Sequence, residues 1–286
     1  MVAHLKTPPI LCLVTALLIQ PQVDAEERLP VWEIGLGGGA IRIPDYRGSD
    51  EASVYPYPFV MPIYRGRYLQ ADEEGIKGIL GETSRFRFDI SLDGNVPVTN
   101  ENDARRGMDD LDPVLQIGPM LRYKPWKSAD QQRSLILDLP ARAALALGNG
   151  VDYVGYAITP RISYRQRLDL PGGPWKWSTG ISAFYGSDDL HEYYYQVDPV
   201  DATPWRPAYQ ADAGYGGWRA QTNLYRRDPK KLISLYALYY NVGGATFADS
   251  PLVRRDGGLT VGVLITWFFI QSKDLVEVKQ WEWETP

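Results

Sequence analysis

Alternation between apolar and polar residues limits most strongly what this chain can fold into. The clearest segment is 135–147, in which every odd position is aliphatic while Asp138 and Arg142 occupy even positions. Segments 85–93, 154–165 and 259–269 repeat the pattern. Because successive side chains of a β-strand point to opposite faces, each segment predicts a strand with one apolar and one polar face.

Two architectures use such strands, a soluble sandwich with a buried apolar face and a transmembrane barrel with a lipid-facing apolar face. The strands are about 10–14 residues long, whereas strands of soluble proteins average about five or six. Their polar faces combine Arg with Asp, as suits a wet lumen. A mean hydropathy of −0.29, with no apolar run of 18 residues, argues against a bundle of membrane-spanning helices. The sequence therefore favours the barrel.

The connections between strands alternate in length, which predicts an antiparallel transmembrane β-barrel of about twelve strands. The long connections 44–52, 94–112, 188–210 and 244–256 are expected outside the cell, and the short turns in the periplasm. The predicted strands are 31–43, 53–64, 67–72, 76–81, 85–93, 113–124, 133–147, 152–167, 175–187, 211–227, 231–243 and 257–269.

Tyr and Trp supply 28 of the 35 aromatic residues, an excess that fits a barrel. Rings with one apolar and one polar end favour the membrane interface. Under this topology many of them lie near the periplasmic strand ends, namely Trp32, Tyr64, Tyr123, Tyr164, Trp175, Trp177, Tyr225, Trp267 and Phe269.

Residues 1–25 resemble a secretory signal peptide, with Lys6, an apolar stretch over 10–19 and a small-x-Ala triplet ending at Ala25. Cleavage near Ala25 would remove Cys12 and leave a barrel over 26–269, followed by a periplasmic tail over 270–286. We therefore expect the outer membrane of a Gram-negative bacterium, with lipid as the surrounding partner.

Sites for catalysis, metals or cofactors are not predicted. His191 lies in an acidic loop and is expected to be solvated, and the acidic stretch 101–112 lacks EF-hand spacing. The glycines at 35–39 sit in a predicted strand without the lysine of a phosphate-binding loop. With a net charge of −5 and scattered basic residues, the chain has no footprint for nucleic acid.

The polar strand faces carry candidate lumen residues whose opposite charges could line a narrow channel or plug it. They are Asp89, Arg122, Asp138, Arg142, Arg161 and Arg165. An adaptor barrel and a small porin or gated channel for small solutes remain the two alternatives at this point.

Three separated segments resemble the MipA/OmpV family of outer-membrane proteins, in the same order as in that family. They are "PDYRGSD" at 44–50, "YYYQVDP" at 193–199 with its continuation to 210, and "SPLV" at 250–253. The matching positions are Pro44, Asp45, Tyr46, Gly48, Ser49, Asp50, Tyr193, Tyr194, Tyr195, Asp198, Pro199, Ser250 and Pro251.

This resemblance implies a non-enzymatic outer-membrane barrel of the MltA-interacting type. It also implies a scaffold for peptidoglycan-remodelling enzymes, with a lytic transglycosylase and a bifunctional penicillin-binding protein as partners. The tail over 270–286 would face the murein layer, and we expect it to help recruit such a partner.

Overall fold

Strands make up most of the computed structural model, which describes residues 27–72, 75–95, 97–98 and 102–278. A 3-10 helix covers Asp103–Arg105, and an α-helix, α1, covers Asp188–Tyr195. The strands are β1 (Glu27–Pro30), β2 (Trp32–Pro44), β3 (Ala52–Arg65), β4 (Leu69–Asp72), β5 (Gly75–Glu82), β6 (Phe86–Asn95), β7 (Val114–Lys127), β8 (Arg133–Leu147), β9 (Val151–Ile158), β10 (Arg161–Leu170), β11 (Gly173–Gly186), β12 (Gly214–Asp228), β13 (Lys231–Asn241), β14 (Gly257–Gln271) and β15 (Leu275–Val278).

The thirteen strands from β2 to β14 form one antiparallel sheet that closes where β14 pairs with β2. Strands β9 and β10 both pair with β8 and β11, so they act as one barrel strand interrupted at Thr159 and Pro160. The wall therefore contains twelve strands, which confirms the predicted all-β barrel and its strand number.

Connections of different length separate the two ends of the barrel. At the turn end, neighbouring strands are joined by the short segments 66–68, 83–85, 128–132, 171–172 and 229–230. At the loop end, the long connections are 45–51, 96–113, 187–213 and 242–256. Two loop-end connections are short, the one between β4 and β5 and the one at 148–150. Apart from these two, the predicted alternation of short turns and long loops is confirmed.

The wall is apolar outside and polar inside, the reverse of a soluble protein. On β7 the exposed Leu121 precedes Arg122, which is 1% exposed. On β8 the buried Asp138 precedes Leu139, which is 50% exposed. An exposed apolar belt around a closed barrel is what lipid requires, because every backbone group of the wall can pair internally. This surface identifies an outer-membrane barrel.

The helices found in the described part of the chain are too short and too polar to cross a membrane.

Aromatic residues at the turn end are mostly directed outward, as the sequence predicts. Trp32, Tyr64, Trp267 and Phe269 are all exposed on the outer surface. Tyr225 is an exception, because it lies at the turn end but packs inside the barrel against buried apolar side chains. The interface belt therefore contains most, though not all, of the predicted rings.

The wall is weakest on one side of β3. Strand β3 pairs with β2 along its whole length, but it pairs with β4 only at Tyr64 and Arg65. Within the described residues, 52–63 have no ladder partner on that side. The amide of Arg65 donates to the carbonyl of Val31, on the β2 side of the strand. Because backbone amides alternate between the two sides of a strand, the amides at even positions of β3 face the side without a partner. Three of these positions are prolines, at 56, 58 and 62, and lack the donor a partner strand would need.

The two chain ends meet outside the barrel wall. Ile270 and Gln271 continue β14, and β15 then pairs with β1 to form a separate two-stranded sheet at the turn end. The proposed signal peptide over 1–25 and the last part of the tail, 279–286, lie outside the described residues. The domain boundaries at these ends therefore stay predictions.

Candidate functional site

The residues predicted to face the lumen all lie on the interior side of the wall. They occupy strand positions that alternate with lipid-facing residues, namely Asp89, Arg122, Asp138, Arg142, Arg161 and Arg165. The strand register places some of them in one row, in which Arg122 stands opposite Asp138 and Asp138 stands opposite Arg161. The same row continues through Ser182 to Arg219. The structure thus brings these charges together on a continuous band.

Asp138 is the anionic centre of this band. One of its oxygens accepts from Arg122 Nε at 2.7 Å, and the other accepts from Arg161 Nε at 3.1 Å. The side chains of Arg122 and Asp138 are each 1% exposed. One step along the wall, Arg87 Nε donates to Asp89 Oδ1 at 2.7 Å, and this pair is equally buried. Within each of these pairs, the two opposite charges neutralise each other deep inside the barrel.

A second group of charges lies nearer the loop end and is held more loosely. Arg142 Nη1 lies 3.4 Å from Asp93 Oδ2, and Arg219 Nη2 lies 3.8 Å from the same oxygen. Serine hydroxyls also hold the two arginines, Ser91 at 2.9 Å from Arg142 Nε and Ser182 at 3.0 Å from Arg219 Nε. The carboxylate of Asp93 is therefore shared between two guanidinium groups without a close contact to either.

Arg219 and Asp93 were not among the predicted lumen residues. A signal for Arg219 exists, because Arg219, Gln221 and Asn223 alternate along β12 and all line the interior. Two outward positions of β12, Thr222 and Arg226, are polar among the apolar Trp218, Ala220 and Leu224, so the apolar half of the alternation is interrupted there. The pattern was therefore too weak to mark β12 as a source of lumen charges.

An interior cavity of about 760 Å³ lies between these charges and the opposite wall. Its lining combines the guanidinium groups of Arg142, Arg161 and Arg219 with hydroxyl and amide groups. At the turn end it reaches Tyr225, which belongs to a buried apolar cluster with Leu232. The charged band therefore faces a space large enough for a small molecule.

Below the cavity, the turn end is filled by a plug of ion pairs and apolar side chains. Glu33 accepts from Arg65 Nη2 at 2.7 Å and from Arg227 Nη2 at 2.6 Å. The guanidinium of Arg227 also lies over the ring of Phe268, 3.8 Å from its centre. Ile63, Tyr225, Leu232 and Phe268 form the apolar part of the plug.

At the loop end, the four long connections pack into one buried cluster that we call the cap. The cap consists of Tyr46, Val98, Ala104, Met108, Leu111, Tyr195, Val197, Ala211, Tyr240, Val242, Ala245, Phe247 and Leu252. Connections 96–113 and 242–256 start from opposite sides of the ring of strands. Because they can touch only by crossing the opening, their shared cluster covers the loop end.

The residues that resemble the family motifs are concentrated in this cap. Tyr46 donates to the carbonyl of Leu252 at 2.7 Å, and Ser250 donates to the carbonyl of Tyr195 at 2.7 Å. Tyr195 in turn donates to the carbonyl of Arg47 at 2.9 Å. These bonds join three different connections, so the motif segments hold the cap together.

Other cap contacts use charged and amide side chains. Arg206 Nη1 donates to the carbonyls of Ala104 and Arg106, at 3.0 and 3.1 Å. Asn102 Nδ2 donates to Asp45 Oδ2 at 2.8 Å and to Ser49 Oγ at 3.1 Å. The acidic stretch around residue 102 thus contributes to the packed cap, although it was expected only to be a solvated loop.

His191, which was expected to be solvated, lies buried on α1 inside the cap region. Its Nδ1 lies 2.7 Å from the carbonyl oxygen of Asp212, and its ring packs edge-on against Phe247 at 4.7 Å. Burial lowers the pKa of His191 below its ordinary value, and the nearby charge of Arg47 lowers it further. The hydrogen bond to Asp212 opposes this shift only in part. The hydroxyl of Thr246 also lies 3.3 Å from the same Nδ1, so polar and aromatic contacts on several sides hold the ring in the cap region.

The lowered pKa of His191 predicts a cap that is less stable at low pH. The unfolded chain binds a proton at an ordinary pKa near 6.5, while the folded cap resists protonation. Stability is therefore full above pH 6.5 and is lost as the pH falls below it, by up to about 1.4 kcal/mol per pH unit. The thermal unfolding midpoint in detergent should be lower at pH 5.5 than at pH 7.5, and His191→Gln should reduce that difference. An equal difference in both proteins would contradict this account.

Three of the glycines at 35–39, Gly35, Gly37 and Gly39, allow neighbouring groups to approach closely. A Cβ at Gly39 would lie 2.2 Å from the carbonyl oxygen of Val263 on β14, so only glycine permits this approach. Across the described residues, no group of three or more His, Cys, Asp or Glu side chains is arranged to hold a metal ion.

Comparison with known proteins first gives a family model that covers most of the chain. The family model described as "MltA-interacting protein MipA" matches residues 36–269. No curated protein shows significant sequence similarity to the chain.

Three solved outer-membrane structures are similar in architecture. A bacterial polysaccharide outer membrane secretin matches at 8% identity and a TM-score of 0.40, covering 84% of this chain and 99% of that one. The outer membrane protein OprG from Pseudomonas aeruginosa matches at 10% identity and a TM-score of 0.24, covering 86% of this chain and 96% of that one. CdiB from Acinetobacter baumannii matches at 10% identity and a TM-score of 0.29, covering 83% of this chain and 60% of that one.

Proposed function

The chain belongs to the MipA family, and we propose that it is a non-enzymatic scaffold in the outer membrane for peptidoglycan-remodelling enzymes. The family description names an interaction with MltA, and the sequence motifs imply a lytic transglycosylase and a bifunctional penicillin-binding protein as partners. Those motif residues build the cap, so the family resemblance and the closure of the barrel involve the same residues.

The observation that carries this proposal is the closure of the loop end. A porin needs a continuous aqueous path, whereas here connections from opposite sides of the ring share one buried cluster that includes Phe247 and Leu252, both 0% exposed. A barrel that does not conduct acts through its surfaces. A scaffold role fits this state better than an open pore.

The turn end offers a surface for a periplasmic partner. The sheet of β1 and β15 has only two strands, so within the described residues each of them has a neighbouring strand on one side only. Leu275 on β15 is 56% exposed. An extended segment of a partner could add to such an edge as a further strand. With the turns in the periplasm, this sheet would face the murein layer.

Deletion of residues 275–286 tests this surface. The deletion removes β15 but keeps Ser272, whose amide donates to Trp32 at the end of the barrel wall. We expect recovery of a lytic transglycosylase in crosslinked pull-downs from outer-membrane fractions to drop to a small fraction of the intact chain's. Trp205→Ala, at a 70% exposed position on the loop end, should leave recovery unchanged. Full recovery with the deleted chain would reject the tail as the binding surface, and no recovery with the intact chain would reject the scaffold role.

A gated channel for small solutes is the second candidate, favoured by the interior cavity with its charged lining. As a channel, the barrel would have to move both the cap and the plug to open a path. Conductance in planar bilayers separates the two candidates. A barrel with a stable cap should pass no steady current.

A further inference from the structure

The cavity inside the barrel has the chemistry of an anion site. Five guanidinium groups line it from four strands of the wall, those of Arg122, Arg142, Arg161, Arg165 and Arg219. Arg161 is bound to Asp138, but that carboxylate also serves Arg122. Asp93 is the carboxylate left for Arg142 and Arg219, at 3.4 and 3.8 Å. Positive charge therefore exceeds negative charge around this group.

This arrangement differs from the other ion pairs of the interior. Arg87 with Asp89, Arg122 with Asp138 and Arg65 with Glu33 all form contacts of 2.7 Å. The side chains of Asp93 and Arg219 are 41% and 27% exposed, in contrast to those closed pairs. The guanidinium groups are thus held in place by serine hydroxyls while their charged ends remain open to the cavity.

We propose that the cavity binds a small organic oxyanion, a carboxylate or a phosphate ester. Guanidinium groups present paired donors that match the two oxygens of such groups. Neutral donors and acceptors complete the lining, including Gln221, Asn223 and Ser163, which suit the hydroxyl groups of a polar solute. The volume of about 760 Å³ admits a molecule of this size. The site is independent of the scaffold role, whose proposed contact surface is the sheet of β1 and β15 outside the barrel wall.

The cavity reaches the weak part of the wall. Its lining includes Tyr55 and Pro56 from β3 and Leu92 from β6, which stand on the two sides of that part. The cavity therefore extends to the place where β3 lacks a ladder partner among the described residues.

Calorimetric titration of the full chain in neutral detergent tests the proposal, with inorganic phosphate and malonate as probes at constant ionic strength. Saturable binding of at least one probe is expected. Arg142→Gln and Arg219→Gln should each weaken it about tenfold or more, since each removes a charge-assisted donor pair. Asp93→Asn should strengthen it severalfold, because it removes the carboxylate that competes for the same guanidinium groups.

Lys230→Gln is the matched control, because it removes a cation from an exposed turn at the other end of the barrel. It should bind the probes as the intact chain does. Heat-modifiable migration in gels checks that each variant folds. If an arginine variant does not fold, the effect of Asp93→Asn on probe binding still tests the proposal. Absence of saturable binding to the intact chain, undiminished binding by folded arginine variants, or weaker binding by Asp93→Asn would each overturn the proposal.

Discussion

Replacing Phe247 with alanine is expected to loosen the cap and expose the loop segments that it buries. Phe247 is 0% exposed and stacks on Tyr195 with ring centres 3.6 Å apart. It also packs against His191 at 4.7 Å, so its ring joins connection 242–256 to α1. Removing a buried phenylalanine ring costs about 3–5 kcal/mol. That loss falls on the contacts that join two crossing connections, so the cap should open locally while the barrel stays folded.

Limited proteolysis of the detergent-solubilised protein measures this effect. The loop end of the intact protein should resist cleavage, and Phe247→Ala should be cut in connections 187–213 and 242–256 about tenfold faster or more. Phe88→Ala is the matched control, since Phe88 lies on the outer surface of β6 at 44% exposure and should leave the cap closed. A folded Phe247→Ala variant that resists cleavage as the intact protein does would show that the cap does not depend on this ring.

The wall of the barrel could be predicted because the polarity of each residue depends on which face of its own strand it occupies. Each position of segment 133–147 faces either lipid or lumen, so its polarity follows its position, and β8 has the predicted bounds, Arg133–Leu147. The same alternation placed Asp138, Arg142 and Arg161 on the interior face. Where an outward residue need not be apolar, as at Thr222 and Arg226 of β12, the signal fails, and Arg219 is missed.

The cap could not be predicted, because it depends on contacts between residues far apart in the chain. Phe247, Leu252 and Tyr46 show no periodicity, and their burial follows from loops that meet across the opening. His191 was expected in solvent because its sequence neighbours are acidic, yet α1 directs its ring inward. Tyr225 was predicted at the interface from its position near the strand end. Along β12, however, it occupies an inward-facing position, so its side chain packs in the plug.

Asp138→Asn is expected to destabilise the barrel more than any other single change of charge in the wall. The substitution removes the carboxylate that accepts from Arg122 at 2.7 Å and from Arg161 at 3.1 Å, while both guanidinium groups stay charged. An amide offers one acceptor oxygen and no counter-charge. Breaking a buried ion pair on one side costs about 3–5 kcal/mol, because the partner is left uncompensated. The urea midpoint for unfolding from lipid vesicles should fall accordingly.

Two comparisons separate the electrostatic cause from a general effect of the substitution. Asp169→Asn makes the same chemical change where the side chain is 75% exposed and 3.8 Å from Arg167, so it should cost less than about 0.5 kcal/mol. Adding Arg161→Gln to Asp138→Asn removes one uncompensated charge, so the double variant should be more stable than the sum of the single losses predicts. Additive losses would mean that Arg161 and Asp138 do not stabilise each other. The charged band would then serve the cavity rather than the stability of the wall.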